Sequence, residues 1–367
     1  MRLLIAYPQP NSYSETFIHN HIKYLNPVAT ITDGWLPYLD QNLRTIFHFP
    51  FSINVLRGAF KKYLPNIYFK IYQQNLKRYL IENKIEIVLA EYGITASNMI
   101  DVCTELNIPL VAHYHGFDAY EYKTIDKYKS AYLNLSNKAA KIIVVSEDMK
   151  NELIQLGMDA AKMINHPYGV DVAKFKQIQP SKNKNIIISV GRFTGKKAPH
   201  LVIKSFAIVS KEIKDAELWM IGGGEKFEEC KSLIEELGLQ EKVKLWGVKK
   251  PEEISELLSQ AKIFVQHSLR PTNGDSEGTP NTVLEASSCG LPIVSTLHAG
   301  IKEAVIHNQS GYLVNEGDYE NMAKHLITLL NDNDAVERMG NAAREHMEKN
   351  YKIENKIESL RNILKSI

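Results

Sequence analysis

Short apolar runs recur along this chain, each followed by a polar or glycine-containing turn and then by a stretch with helical spacing. Residues 2–7 are the first such run, and Ser14–Leu25 follows as a capped helix with Phe17, Ile18, Ile22 and Leu25 inward. Ile85–Ala90, Pro109–His113 and Lys141–Val145 repeat the pattern. Ser146 stands where it would cap a helix over Glu147–Leu156, which Gly157 ends. This alternation predicts a parallel sheet wrapped by helices.

After Pro167–Asp171 and the polar run Gln177–Asn185 the alternation starts afresh. Strands are predicted over Ile186–Val190, Glu217–Ile221, Val243–Trp246, Ile263–Gln266 and Pro292–Ser295. Between and after them fall helices over Pro199–Val209, Lys226–Leu237, Pro251–Ser259, 280–289 and Glu320–Asn331. A second doubly wound α/β domain is the economical reading. Ile353, Ile357, Leu360, Leu364 and Ile367 then form an apolar stripe on a last helix, which must bury against something. Packing back on the first domain is preferred to a dimer contact, so the expected division is 1–171, 172–349 and a helix within 350–367.

Composition changes this picture little. A chain of 367 residues suits two domains, and 44% apolar with 23% charged residues is ordinary for a soluble globular protein. A net charge of +2 neither demands nor forbids an anionic partner. Cys103, Cys230 and Cys289 lie far apart, so neither a disulfide framework nor a zinc site is indicated and a reducing cytoplasm is expected. The first apolar run reads as a strand and not as a signal peptide, and no later run approaches membrane-spanning length.

The chemistry concentrates in a few loops. In 274–289, Thr279 fits an N-cap and Pro280 the first helical position, which would leave the amides of Asn281, Thr282 and Val283 as an anion site. Glu277 precedes this site, and Glu285 follows on the face shared with Asn281. Carboxylates on either side of a phosphate suit the hydroxyls of a sugar and a ribose, although an ordinary capped helix with nearby acids has the same pattern. Gly191-Arg192, with Lys196 and Lys197 close behind, ends a strand and suits a diphosphate, as well as a solvated charged loop. Gly222-Gly-Gly follows the next strand and would admit a ligand to the backbone, but it is not a dinucleotide fingerprint.

In the first domain, His113-Tyr-His-Gly-Phe-Asp118 ends a strand; His115 could donate to a substrate oxygen with Asp118 orienting it, or be a structural histidine. No second ligand pair at metal spacing accompanies them. Residues 57–79 interleave Arg57, Lys61, Lys62, Lys70, Lys77 and Arg78 with aromatics, which suits an anionic membrane surface and equally a solvated helix with an aromatic core face. Nucleic acid fits less well, since no recognised binding motif is present.

Together these segments resemble glycosyltransferase family 4, retaining enzymes of the GT-B fold with two facing Rossmann-like domains. The matches are His115-Gly-Phe-Asp, Tyr168-Gly-Val-Asp, Gly191-Arg192 with Lys197, Gly222-Gly-Gly, Trp246-Gly, and Glu277-x7-Glu285 enclosing Glu-Gly-x-Pro. Ser14-Glu-Thr-Phe-Ile and Asn273-Gly-Asp-Ser-Glu-Gly are similar to the branch that builds bacterial exopolysaccharides, colanic acid among them. The chain departs from the family pattern in its first strand-to-helix loop, where Ser14-Glu15 replaces Gly-Gly, and at Tyr168, where Asn is frequent.

The resemblance implies that 1–171 is the acceptor side, with Ser14, Glu15, Thr16 and Asp118 near the acceptor, and that 172–349 binds the nucleotide sugar. Arg192 and Lys197 would hold the diphosphate beside Gly191 and Gly222. Glu285 would take the ribose hydroxyls, and Glu277 the donor sugar, with the backbone of Gly278, Thr279, Pro280, Asn281, Thr282 and Val283. Val248 marks the base-binding backbone, and His115 reaches the sugar and phosphate from the opposite domain. It further implies transfer from a donor such as a UDP-sugar to a glycan or polyprenyl-linked glycan, with no metal or other cofactor required. A nucleotide-sugar epimerase and a non-catalytic sugar-nucleotide binding protein are the alternatives.

Overall fold

The structure is a computed structural model that describes residues 1–10, 15–47, 58 and 61–367. It divides into two compact units. The first comprises Met1–His166 together with Ile357–Ile367, and the second Pro167–Lys356.

The first unit is built on a seven-stranded sheet: β1 (Leu3–Ala6), β2 (Ala29–Thr32), β3 (Leu39–Asp40), β4 (Ile87–Glu91), β5 (Leu110–His113), β6 (Lys141–Val144) and β7 (Met163–Asn165), in the order β3-β2-β1-β4-β5-β6-β7. All pairings are parallel except β2 with β3. Ser146 caps its helix, accepting from Met149 N at 3.1 Å. The helix after β1, α1 (Thr16–Leu25), buries Phe17, Ile18, His21 and Leu25. The expected inward Ile22 is only partly buried and His21 takes the inner position, because its imidazole finds a buried carboxylate there.

The second unit carries six parallel strands: β8 (Ile186–Val190), β9 (Glu217–Ile221), β10 (Val243–Gly247), β11 (Ile263–Val265), β12 (Ile293–Thr296) and β13 (Gly311–Val314), in the order β10-β9-β8-β11-β12-β13. Chain direction reverses its progress across the sheet beside β8, so the loops after β8 and β11 flank the switch point where open α/β sheets take ligands. Two apolar layers cover the sheet, one around Phe206, Leu218 and Met322 and the other around Phe264, Ile293 and Leu284.

The junction motif has a structural use. Val170 donates to Tyr351 O at 2.7 Å and accepts from Ile353 N at 3.0 Å, while Asp171 Oδ1 accepts from Ala173 N and Lys174 N. Residues 167–171 therefore group with the second unit and not with the first, five positions earlier than the expected division. On the last helix, Ile353–Lys365, the side chains of Ile353, Ile357, Leu360 and Leu364 are buried, and Arg361 reaches Tyr24 O at 2.7 Å. Ile367 lies beyond this helix and is exposed, so the stripe is one residue shorter than its periodicity suggests.

Candidate active site

The second unit assembles its polar residues at the carboxyl ends of β8, β9 and β11. Gly222 adopts φ +139, and a Cβ there would lie 2.0 Å from Gly191 O, so the first glycine of the triplet admits the neighbouring loop and not a ligand. Gly191 N donates to Ile221 O and Phe193 N to Gly223 O, which locks the two loops together. A concavity lined by Gly191, Arg192, Phe193, Lys197 and Gln266 opens above them.

Lys197 Nζ lies 3.1 Å from Glu277 Oε2, and both side chains are largely buried. Burial pushes the Glu277 carboxyl up, but the charges of Lys197 and Lys196 outweigh it and hold it at about 2. Burial also lowers Lys197, against the pull of Glu277. The other oxygen, Glu277 Oε1, is buried with no hydrogen-bond partner. A buried acceptor left unpaired costs on the order of 1–3 kcal/mol, so an orphan of this kind marks a place for a ligand donor. Arg192 is exposed, with no ion pair among the described residues, and Lys196 is held by Asp275 and Ser276 O.

The helix after this loop spans Asn281–Ser288, with Pro280, not Thr279, as its N-cap. The Pro280 carbonyl accepts from Val283 N at 3.0 Å and Leu284 N at 3.2 Å. Val283 N is thus spent on closing the first turn, and two amides, those of Asn281 and Thr282, remain without an acceptor among the described residues. Thr282 Oγ1 donates to Gln266 Oε1, tying the helix tip to the end of β11. Glu285 is partly buried; burial pushes its carboxyl up to about 7, opposed by Lys174. Gly278 is buried, and its carbonyl packs where a Cβ on Gly300 would lie, at 2.3 Å. Val248 is exposed on the loop after β10, beside Gly223.

The first unit gathers a different cluster. Glu91, the last residue of β4, is paired in register with His113 of β5 and is fully buried. His21 Nδ1 lies 2.8 Å from its Oε1, His115 Nε2 2.8 Å from its Oε2, and His113 Nδ1 3.4 Å from Oε2. Burial pushes Glu91 upward, yet the surrounding imidazoles bring it well below the usual carboxylate range, while burial lowers His115 to about 3. Asp118 does not orient the His115 ring as expected. Its carboxylate accepts the main-chain amides of Gly93, His115 and Gly116, and it is fully buried, so it shapes the loop and presents nothing to an acceptor. His21, Glu91 and His113 offer ligand atoms within 4.8 Å of one another, but imidazoles already occupy both carboxylate oxygens at hydrogen-bond distance. Glu15 Oε1 accepts from Tyr92 Oη at 2.6 Å, Thr16 opens α1, and Ser14 lies outside the described residues.

Among the basic and aromatic residues of 57–79, Arg57 and Phe60 lie outside the described residues. In the helix Pro65–Glu82, Tyr68 and Tyr72 face the core, Lys77 pairs with Glu105, and Arg78 bonds Asn75 and Ile46 O. Tyr63, Leu64 and Ile67 are exposed beside Lys61, Lys62 and Lys70. Among the described residues no helix is long and apolar enough to cross a membrane.

Residues 171–346 match the family model of glycosyl transferases group 1, and residues 28–174 that of glycosyltransferase family 4. The chain belongs to glycosyltransferase family 4. It is 32% identical over 248 residues to the amylovoran biosynthesis glycosyltransferase AmsK of Erwinia amylovora, a match covering 66% of this chain and 61% of AmsK. Escherichia coli WcaL, whose name ties it to colanic acid biosynthesis, is 27% identical over 299 residues, covering 76% of this chain and 73% of WcaL. Anabaena HepE, solved in complex with UDP, superposes with a TM-score of 0.79 at 17% identity over 100% of both chains. Sucrose-phosphate synthase of Thermosynechococcus elongatus gives 0.77 at 16%, covering 100% of this chain and 99% of that one. The fold of this family 4 member is accordingly GT-B.

Sequence reasoning missed Glu91 and His298. Glu91 carried a signal: a carboxylate ending an otherwise apolar strand, Ile-Val-Leu-Ala-Glu, has to be matched by something buried.

Proposed function

We propose that this chain is a retaining glycosyltransferase of bacterial surface polysaccharide assembly. It moves a sugar from a UDP-sugar to a glycan or polyprenyl-linked glycan acceptor at the inner face of the membrane. Family membership supports the reaction class, the names of AmsK and WcaL support the pathway, and the UDP bound by HepE supports the donor. The single observation that carries the reading is the Lys197–Glu277 pair, with an orphaned Glu277 Oε1 on one side and the unpaired Arg192 and the Asn281 and Thr282 amides nearby.

In this reading the bond between the anomeric carbon and the donor phosphate breaks, and negative charge grows on the leaving diphosphate. Arg192, Lys197 and the helix tip stabilise that charge, an effect worth roughly 10²–10³ in rate for one well-placed donor. Glu277 Oε1 accepts a sugar hydroxyl, and Glu285 accepts the ribose hydroxyls once ionised. The acceptor hydroxyl attacks the same face of the anomeric carbon, and its proton passes to the departing phosphate, giving a retained glycoside and UDP. The cations of the site take the charge that a divalent ion would otherwise carry. His115, held by Glu91, is assigned to the sugar on the strength of the resemblance.

Lys61, Lys62 and Lys70, beside the exposed Tyr63, Leu64 and Ile67, suit peripheral contact with anionic lipid. The test of the donor reading is a thermal-shift screen against UDP, GDP, ADP and their sugar conjugates without added metal. A ligand at about a hundred times its dissociation constant adds roughly 2.7 kcal/mol of stability, enough to detect. A selective shift with UDP is expected, and no shift with any nucleotide contradicts the reading.

A further inference from the structure

The loop that carries Glu277 is held by two residues that belong to none of the motifs above. Glu316, after β13, receives Arg270 N on Oε2 at 2.9 Å and faces His298 Nδ1 with Oε1 at 2.6 Å. The other ring nitrogen, Nε2, lies 2.9 Å from Ser276 Oγ and 3.3 Å from Glu277 N. A main-chain amide can only donate, so Nε2 is the acceptor and the ring proton sits on Nδ1, donated to Glu316. Ser276 Oγ then donates to the same Nε2.

The spacing is that of a serine–histidine–carboxylate triad, yet Ser276 is 2% exposed and shares its base with a main-chain amide. Such a hydroxyl has neither access to a substrate nor a free base. What the arrangement does is grip residues 270–277 at both ends through one carboxylate. Lys196 holds the middle of the loop, and the turn at Gly300 closes against Gly278 O. The loop has no strand ladder to satisfy its amides, and the bond from Glu277 N to His298 Nε2 does that work at the position that matters.

We propose that His298 and Glu316 are positioning residues for donor turnover: they hold Ser276 and the Glu277 amide so that the Glu277 carboxylate stays against Lys197 with Oε1 turned to the donor. This rests on the donor-site reading of Glu277. The test compares His298→Ala, His298→Gln and Glu316→Gln by calorimetric titration with UDP and by consumption of UDP-sugar. His298→Ala is expected to lower turnover at saturating donor at least tenfold while the Kd for UDP stays within twofold. His298→Gln, whose amide can both accept and donate, is expected to recover most of that loss, and Glu316→Gln to fall between them. Unchanged turnover in His298→Ala overturns the proposal, as does a parallel fall in UDP affinity and turnover that glutamine fails to rescue. If the wild-type protein consumes no nucleotide sugar, the donor reading itself fails; faster amide exchange at Glu277 in His298→Ala then still supports the clamp, and unchanged protection rejects it.

Discussion

Two buried clusters of acid and base, one in each unit, use similar residues to different ends. Around Glu91 both carboxylate oxygens meet imidazole nitrogens, so this carboxylate has no acceptor left over. Around Glu277 the accounting stays open: one oxygen meets Lys197, the other meets nothing, and Arg192 and two helix amides stand ready. A closed network shapes and stiffens; an open one waits for a ligand. The contrast separates a carboxylate that holds its neighbours in place from one that has capacity left.

The largest effect should come from opening the second cluster further. Lys197→Ala removes a diphosphate cation and leaves Glu277 buried without its partner. UDP-sugar turnover is expected to fall on the order of 10³-fold, and chemical denaturation should show a loss of about 3 kcal/mol. If turnover survives while stability falls, the pair is structural and the comparison collapses.

Glu91→Gln breaks the closed cluster. Three imidazoles would then surround a neutral amide, and urea unfolding should reveal a loss of about 2 kcal/mol, with UDP affinity unchanged. A tenfold change in that affinity would show that the first cluster is not separate from nucleotide binding.

Glu285 gives a pH-dependent effect of intermediate size. Its folded value of about 7 lies above the ordinary carboxylate value, so the ionised form is disfavoured in the folded state. That penalty is fully present above about pH 7 and fades as pH falls toward the unfolded value. Glu285→Gln is therefore expected to raise the melting temperature by a few degrees at pH 8 and to leave it unchanged at pH 4.5. Ribose hydroxyls favour the ionised carboxylate, so UDP should bind more weakly as pH drops below 7 in wild type and be flat in the variant. Identical melting curves at pH 8 would remove the desolvated carboxylate from the account.

The smallest effect concerns the exposed basic residues. Lys61, Lys62 and Lys70 changed to Glu should reduce sedimentation with anionic liposomes, most clearly at low salt, while turnover of a soluble donor is unaffected. Binding that ignores both salt and these changes would leave the surface as an ordinary solvated one.

Much of this is legible in the sequence. The apolar runs at Ile186–Val190 and Glu217–Ile221 have strand boundaries identical to those observed, because buried parallel strands are bounded sharply by their turns. β2, β3 and β7 were not legible, since none has more than two consecutive apolar residues, and β13 was hidden behind its opening glycine. The helix at Asn333–Asn350 was hidden by its many charges, although Val336, Met339 and Met347 mark its buried stripe. In the site, spacing pointed to Lys197, Glu277 and Glu285. It could not show that Pro280 would cap the helix and withdraw Val283 N, or that Glu91 would hold the His115 ring. The first turns on a local choice between two adjacent cap candidates, and the second on a contact between residues 24 positions apart.

Calorimetric titration of UDP into wild type, Arg192→Ala and Glu91→Gln separates the open cluster from the closed one. Binding is expected in the wild type, with a loss of at least tenfold in Arg192→Ala, where the unpaired guanidinium is gone, and no change in Glu91→Gln. Equal affinity in wild type and Arg192→Ala, or binding lost only in Glu91→Gln, would contradict this expectation by placing the nucleotide somewhere other than the open cluster.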